Sequence, residues 1–163
     1  MAFIKKIPEK LLIKNNKYND KIEDINDKSD KKDSKIELKN IKIASILDKF
    51  SYECFKYECN FMPVSYDNWK IQLEMENPNL LLVESAWSGN NNLWKNKIVN
   101  LHISHDKSLE NLVHWCKYNN IPTVFWNKED PGNFNMFIEA AKLFDYVFTT
   151  DINCIERYKD WMG

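Results

Sequence analysis

The stretch "IPTVFWNKEDP" (residues 121–131) decides how this chain folds. Ile121 to Phe125 is a short run of β-branched and aromatic residues, the composition of a strand buried on both faces. It gives way to Trp126, Asn127, Lys128, Glu129 and Asp130 and is closed by Pro131. A strand that ends in so much polar equipment is either a dressed turn or one wall of a site.

The same alternation recurs on both sides of this stretch. "IKIASIL" (41–47), "NFMPVS" (60–65), "NLLLVES" (79–85) and "YVFTT" (146–150) read as strands. Helical patterns fall between and after them at 48–58, 67–77, 108–120, 133–144 and 152–162. Asp67-Asn68 are placed to cap the second of these, Pro78 to end it, and Ser108 to open the third as a capping box. Strands separated by helices of this length need crossover connections, which predicts an α/β domain. Its parallel, Rossmann-like sheet would carry helices on both faces.

Composition limits what such a domain can do. Only three glycines occur in 163 residues, Gly89, Gly132 and Gly163, where average usage gives about 11. Neither the two-glycine phosphate loop nor the GxGxxG dinucleotide fingerprint can be assembled from them. A net charge of -1 argues against nucleic-acid binding by bulk electrostatics. No segment approaches the roughly 20 apolar residues of a membrane span. Cys54, Cys59, Cys116 and Cys154 form no CxxC pair and no secretory core precedes them, which predicts reduced thiols in the cytoplasm. The pair Cys54 and Cys59 is expected to pack rather than react.

Residues 1–40 stand apart from residues 41–163. "NNKYNDKIEDINDKSDKKDSK" (15–35) is almost wholly Lys, Asp, Asn and other polar residues, and it cannot bury enough apolar surface to offset its ordering entropy. A flexible leader is expected there, with a short amphipathic helix over Phe3 to Ile13 interrupted at Pro8.

Ligands of open parallel sheets sit beyond the carboxyl ends of the strands. The residues that follow the strands are Asp48 and Lys49 after the first, and Glu84, Ser85 and Trp87 at the third. Trp126 to Asp130 follow the fourth, and Thr150 and Asp151 the last. Asp48, Asp130 and Asp151 each precede a helix, so each reads equally as an N-cap. Lys128 reads as a surface ion pair, or as the partner of Glu84 in competition with Lys49. Glu84 follows four apolar residues and is expected to be buried with a raised pKa unless paired, a fit to general-base work. Trp87 and Trp126 suit either a core or a stacking platform. His102, His105 and Asp106 match no firm metal-ligand spacing, and no metal is expected.

Four stretches together carry a family likeness: "ILDKFSYECFKYECN" (46–60), "LLLVESAWSGNNNLWKNKI" (80–98), "IPTVFWNKEDP" and "AKLFDYVFTTDINCIERYK" (141–159). They resemble the N-terminal region of bacterial CgeB-like, spore-maturation-type glycosyltransferases, over about residues 41–163. The resemblance implies the acceptor-side half of a two-domain GT-B enzyme, whose C-terminal domain holds the nucleotide-sugar donor. It implies a glycan, polymer or protein hydroxyl as acceptor and no further cofactor. Glu84 and Glu129 would be the base or its orienter. Asp48, Lys49, Trp87, Trp126, Asn127, Lys128, Asp130 and Asp151 would line the cleft. Family members often carry a histidine two residues after the proline of "EDP"; Asn133 stands there in this chain. The chain supplies one arginine, Arg157, and no donor domain after Gly163, so by itself it is expected to be inactive, or a binding module without chemistry.

Overall fold

The computed structural model describes residues 2–3 and 38–162. It is an α/β fold built on a six-stranded sheet. The strands are β1 (Ala2–Phe3), β2 (Lys42–Ile46), β3 (Asn60–Pro63), β4 (Leu80–Glu84), β5 (Thr123–Asn127) and β6 (Tyr146–Thr149). The helices are α1 (Lys49–Phe55), α2 (Trp69–Glu76), α3 (Ser108–Tyr118), α4 (Phe134–Ala141) and α5 (Cys154–Met162). The order across the sheet is β1-β6-β5-β4-β2-β3, with β2 to β6 all parallel and β1 antiparallel on β6. This is the Rossmann-like parallel sheet that the alternation predicts.

The two faces follow from the crossovers. The chain steps outward from β2 to β3, then returns past β2 to β4, β5 and β6. Right-handed connections running in opposite directions put their helices on opposite faces. Phe55 of α1 accordingly stacks on Phe61 and packs edge-on against Trp126, on one face. On the other, Ala44, Ile46, Leu81, Val83, Phe125 and Val147 form one buried core with Leu73, Leu112, Phe137 and Tyr158 of α2 to α5.

Local boundaries have local causes. Helix α2 stops at Asn77, which takes a left-handed conformation (φ 45°) just before Pro78. Strand β5 begins two residues later than expected and ends two residues later. Pro122 has no N–H to give the ladder, although its carbonyl still accepts from Leu81. Trp126 pairs in register with Glu84 on β4 and Phe148 on β6, and Asn127 with Thr149 on β6, so the ladder runs on through them. They are strand residues, not loop residues.

The expected caps also differ. Asn68 makes no side-chain cap to α2, and the Ser65 hydroxyl accepts its N–H instead. Ser108 is the first residue of α3 rather than its cap; Asp106 accepts the Ser108 N–H, and Ser108 Oγ donates to Tyr66. Cys54 is exposed, not packed, because α1 turns it away from the sheet, while Cys116 and Cys154 are buried. Burial pushes the Cys116 thiol up to about 12, so it is inert. Of the leader, Phe3 lies in β1 and Leu38–Asn40 form a short 3-10 turn into β2. The expected helix over residues 4–13 and the polar run 15–35 lie outside the described residues. Among the described residues, no helix is long and apolar enough to cross a membrane.

Candidate functional site

The direction of travel across the sheet reverses between β2 and β4, and at such a point the loops above the strand ends part to leave a crevice. Three charged side chains from three strand ends meet there. Lys128, just past β5, places Nζ 2.9 Å from Glu84 Oε1 at the end of β4 and 3.3 Å from Asp48 Oδ2 after β2. Glu84 is 0 % exposed, and its Oε1 also accepts the Asp48 N–H at 2.5 Å. Its Oε2 has no hydrogen-bond partner. Lys128, not Lys49, is therefore the counter-ion of Glu84; Lys49 is exposed on the first turn of α1. Burial favours loss of the Lys128 proton, but the hydrogen bond and charge of Glu84, with those of Asp48, outweigh it and hold its pKa above the ordinary value.

Asp48 occupies the N-cap position of α1 without capping it. Its carboxylate reaches across to the loop after β4 and accepts the N–H groups of Trp87 (3.3 Å), Ser88 (3.1 Å) and Gly89 (2.8 Å). Three consecutive amides converging on one carboxylate form an anion-binding nest, filled here by the protein's own side chain. Gly89 is required in it: φ is +50°, and a Cβ would fall 2.8 Å from the Cβ of Trp94 and 3.0 Å from Ile46.

The loop continues in the same unusual conformation, with Asn90, Asn91 and Asn92 at φ 47°, 57° and 73°. Asparagine tolerates this region better than other side chains, which accounts for the run of three. Buried Asn90 pins the loop by accepting from Leu47 N–H and donating to the Ser45 and Val64 carbonyls. Trp94 adds an indole N–H bond to the Val64 carbonyl.

A second polar group lies beside the first. Asn127 Nδ2 donates to Asp130 Oδ1 and to Tyr158, and Asp130 Oδ2 accepts from the Thr149 and Tyr158 hydroxyls at 2.5 and 2.9 Å. Asp130 precedes a cis peptide to Pro131. Burial raises the Asp130 pKa despite those donors, and burial likewise raises that of Tyr158. These residues lock the β5 and β6 ends to α5, so Asp130 is a structural tie rather than a cap. Asp151 opens the turn into α5 as a cap would: its Oδ1 accepts the Asn153 N–H and its carbonyl the Cys154 N–H. Ser85 joins the two groups, because its Oγ accepts the N–H of Lys128 and of Glu129.

Glu129 is half-buried, and its Oε2 accepts from Asn133 Nδ2 at 2.8 Å. Trp87 is 37 % exposed and rests edge-on against Phe137 of α4. Trp126 is more enclosed, packed against Phe55, with its indole N–H unpartnered. The structure thus brings Asp48, Glu84, Trp87, Lys128 and Glu129 to one edge. Trp126, Asn127 and Asp130 point into packing and the clamp to α5. His102 and His105 are exposed, while Asp106 is taken by Tyr66, Lys97 and Ser108; among the described residues no cluster of three or more metal-ligating side chains occurs. Sequence reading missed Asn90, Thr149 and Tyr158. The one available signal was "SGNNN", whose residue types favour left-handed backbone.

No protein-family model matches the chain, and no curated protein or solved structure is significantly similar to it.

Proposed function

We propose that this chain is the acceptor-side domain of a CgeB-like, GT-B glycosyltransferase acting in the bacterial cytosol. A C-terminal domain of the same protein would hold the nucleotide-sugar donor, and the hydroxyl of a glycan, polymer or protein would approach the carboxyl edge of the sheet. The observation that carries this reading is the meeting of Asp48, Glu84 and Lys128 from three strand ends at the reversal point, with the Glu129 backbone tied to the same edge through Ser85 and Trp87 exposed beside it.

In such a transfer the acceptor oxygen attacks the anomeric carbon, its proton passes to a base, and the diphosphate leaves. Glu129 suits the base. It is only half-buried, and Asn133 holds one of its oxygens, leaving the other to meet a hydroxyl. Asn133 stands where members of the resembled family often carry histidine. An amide accepts no proton at neutral pH, so in this reading the base is Glu129. Glu84, sealed from solvent, is suited to orienting Lys128 rather than to touching substrate. Trp87 offers a flat face for a sugar ring. With three glycines the domain has no glycine-rich cradle for the leaving diphosphate, which falls to the donor domain.

The test is Glu129→Gln in the complete protein, followed by transfer from labelled nucleotide sugars. Turnover should fall about 100-fold or more; unchanged turnover removes Glu129 from the reaction. A second reading, a non-catalytic binding module, has its own support: Lys128 is already paired twice, and Asp48 is already held by three amides and an ammonium. Binding of a saccharide without transfer by the complete protein would favour it.

A further inference from the structure

A cavity of about 400 Å³ opens at the carboxyl ends of β2 and β3, between α1 and the asparagine loop. This lies within the ~300–1,000 Å³ range of small-molecule sites. Pro63, Leu93 and the Tyr52 ring give it apolar walls, and Lys49, Glu53 and Asn91 give it donors and acceptors. We infer that this cavity binds a neutral saccharide ring of the acceptor; the inference rests on the acceptor-side reading and names the place of the sugar within it.

Charge argues for a neutral ligand. One lysine and one glutamate line the cavity, and Glu53 Oε2 is further neutralised by Lys56 at 2.5 Å. A phosphate or free nucleotide would find no cluster of cations here. A sugar ring presents C–H faces and a rim of hydroxyls that both donate and accept, which fits aliphatic and aromatic walls edged by an amide, a carboxylate and an ammonium. Leu93, one of the lining residues, is 52 % exposed and offers apolar surface for such a ring to cover.

The wall is also built in advance. Asn90 and Trp94 fasten the loop to the ends of β2 and β3 through four hydrogen bonds. Around Asn90 the backbone holds four successive left-handed residues, Gly89 to Asn92. Conformations of this kind persist where surrounding contacts impose them. They place Asn91 and Leu93 at the cavity rim without a folding step on binding, which lowers the entropy cost of association.

The experiment is a titration of the 163-residue chain with glucose, N-acetylglucosamine and maltose, and separately with uridine diphosphate glucose, followed by amide NMR shifts. The expected result is saccharide-induced shifts centred on Tyr52, Asn91 and Leu93, with a Kd on the order of 1 mM. Tyr52→Ala and Asn91→Gly should each weaken that binding about tenfold; glycine at 91 keeps the left-handed backbone, so this variant removes the amide without breaking the loop. Saccharide shifts confined to Trp87 and to Lys128–Glu129, unaffected by either variant, would overturn the cavity and leave the acceptor-side reading intact. Shifts with uridine diphosphate glucose alone would overturn both. No shift with any saccharide would overturn the cavity inference.

Discussion

Replacing Lys128 with methionine removes the only ammonium within 4.0 Å of Glu84 among the described residues. The two carboxylates it joins should respond unequally. Asp48 keeps three backbone N–H donors. Glu84, fully buried, keeps the single N–H of Asp48 on Oε1 and nothing on Oε2. Breaking a buried ion pair by deleting one partner typically costs about 3–5 kcal/mol. The Lys128 side chain is 22 % exposed, so water can partly replace it, and the lower end, about 3 kcal/mol, applies. Adding Glu84→Gln removes the stranded charge while leaving an oxygen for the Asp48 N–H. The double variant should therefore lose only about 1 kcal/mol relative to the parent. Urea unfolding followed by tryptophan fluorescence measures all four corners of this cycle. A single-variant loss under about 1 kcal/mol, with the two substitutions additive to within about 0.5 kcal/mol, would refute the claim that Lys128 compensates a buried Glu84.

Three further outcomes rest on the same geometry. Tyr158→Phe deletes the hydroxyl shared by Asp130 and Asn127 and should cost about 1–3 kcal/mol in urea unfolding. Gly89→Ala meets both the positive φ and the 2.8 Å approach of Trp94, and should cost more than about 1 kcal/mol; a neutral result would mean that the loop is not held in this conformation. At Asp106, burial opposes ionisation, but Lys97, Tyr66 and Ser108 together hold the folded-state pKa below the ordinary 3.8. A depressed carboxyl pKa gives stability that is present above the unfolded value and lost as pH falls through the folded one. Asp106→Asn should therefore be less stable than the parent at neutral pH and should flatten the fall in stability below about pH 4. Parallel acid limbs for the two proteins would contradict this.

The sheet was legible because each parallel strand carries a short apolar run bounded by polar residues. The edge was legible because the residues just past each strand can be read without knowing the strand order. What sequence could not supply was partner choice. Asp48 looks like a helix cap from its neighbours in the chain, yet the amides it holds lie some 40 positions away. Asp130 looks the same and instead ties β6 to α5. The end of β5 was misplaced because Trp126 and Asn127 are polar-tipped, while strand pairing depends on the ladder offered by β4 and β6. The cavity was invisible for a related reason, since its walls come from α1, β3 and a loop joined only in space.

The central claim, that this edge is half of a two-domain transferase cleft, is tested most directly by the intact mass of the native protein recovered from its source cells. The account predicts a mass well above the 19.5 kDa of this chain, with a second α/β domain in the added sequence. A native mass of 19.5 kDa would contradict it and leave the edge as a binding surface without a reaction of its own.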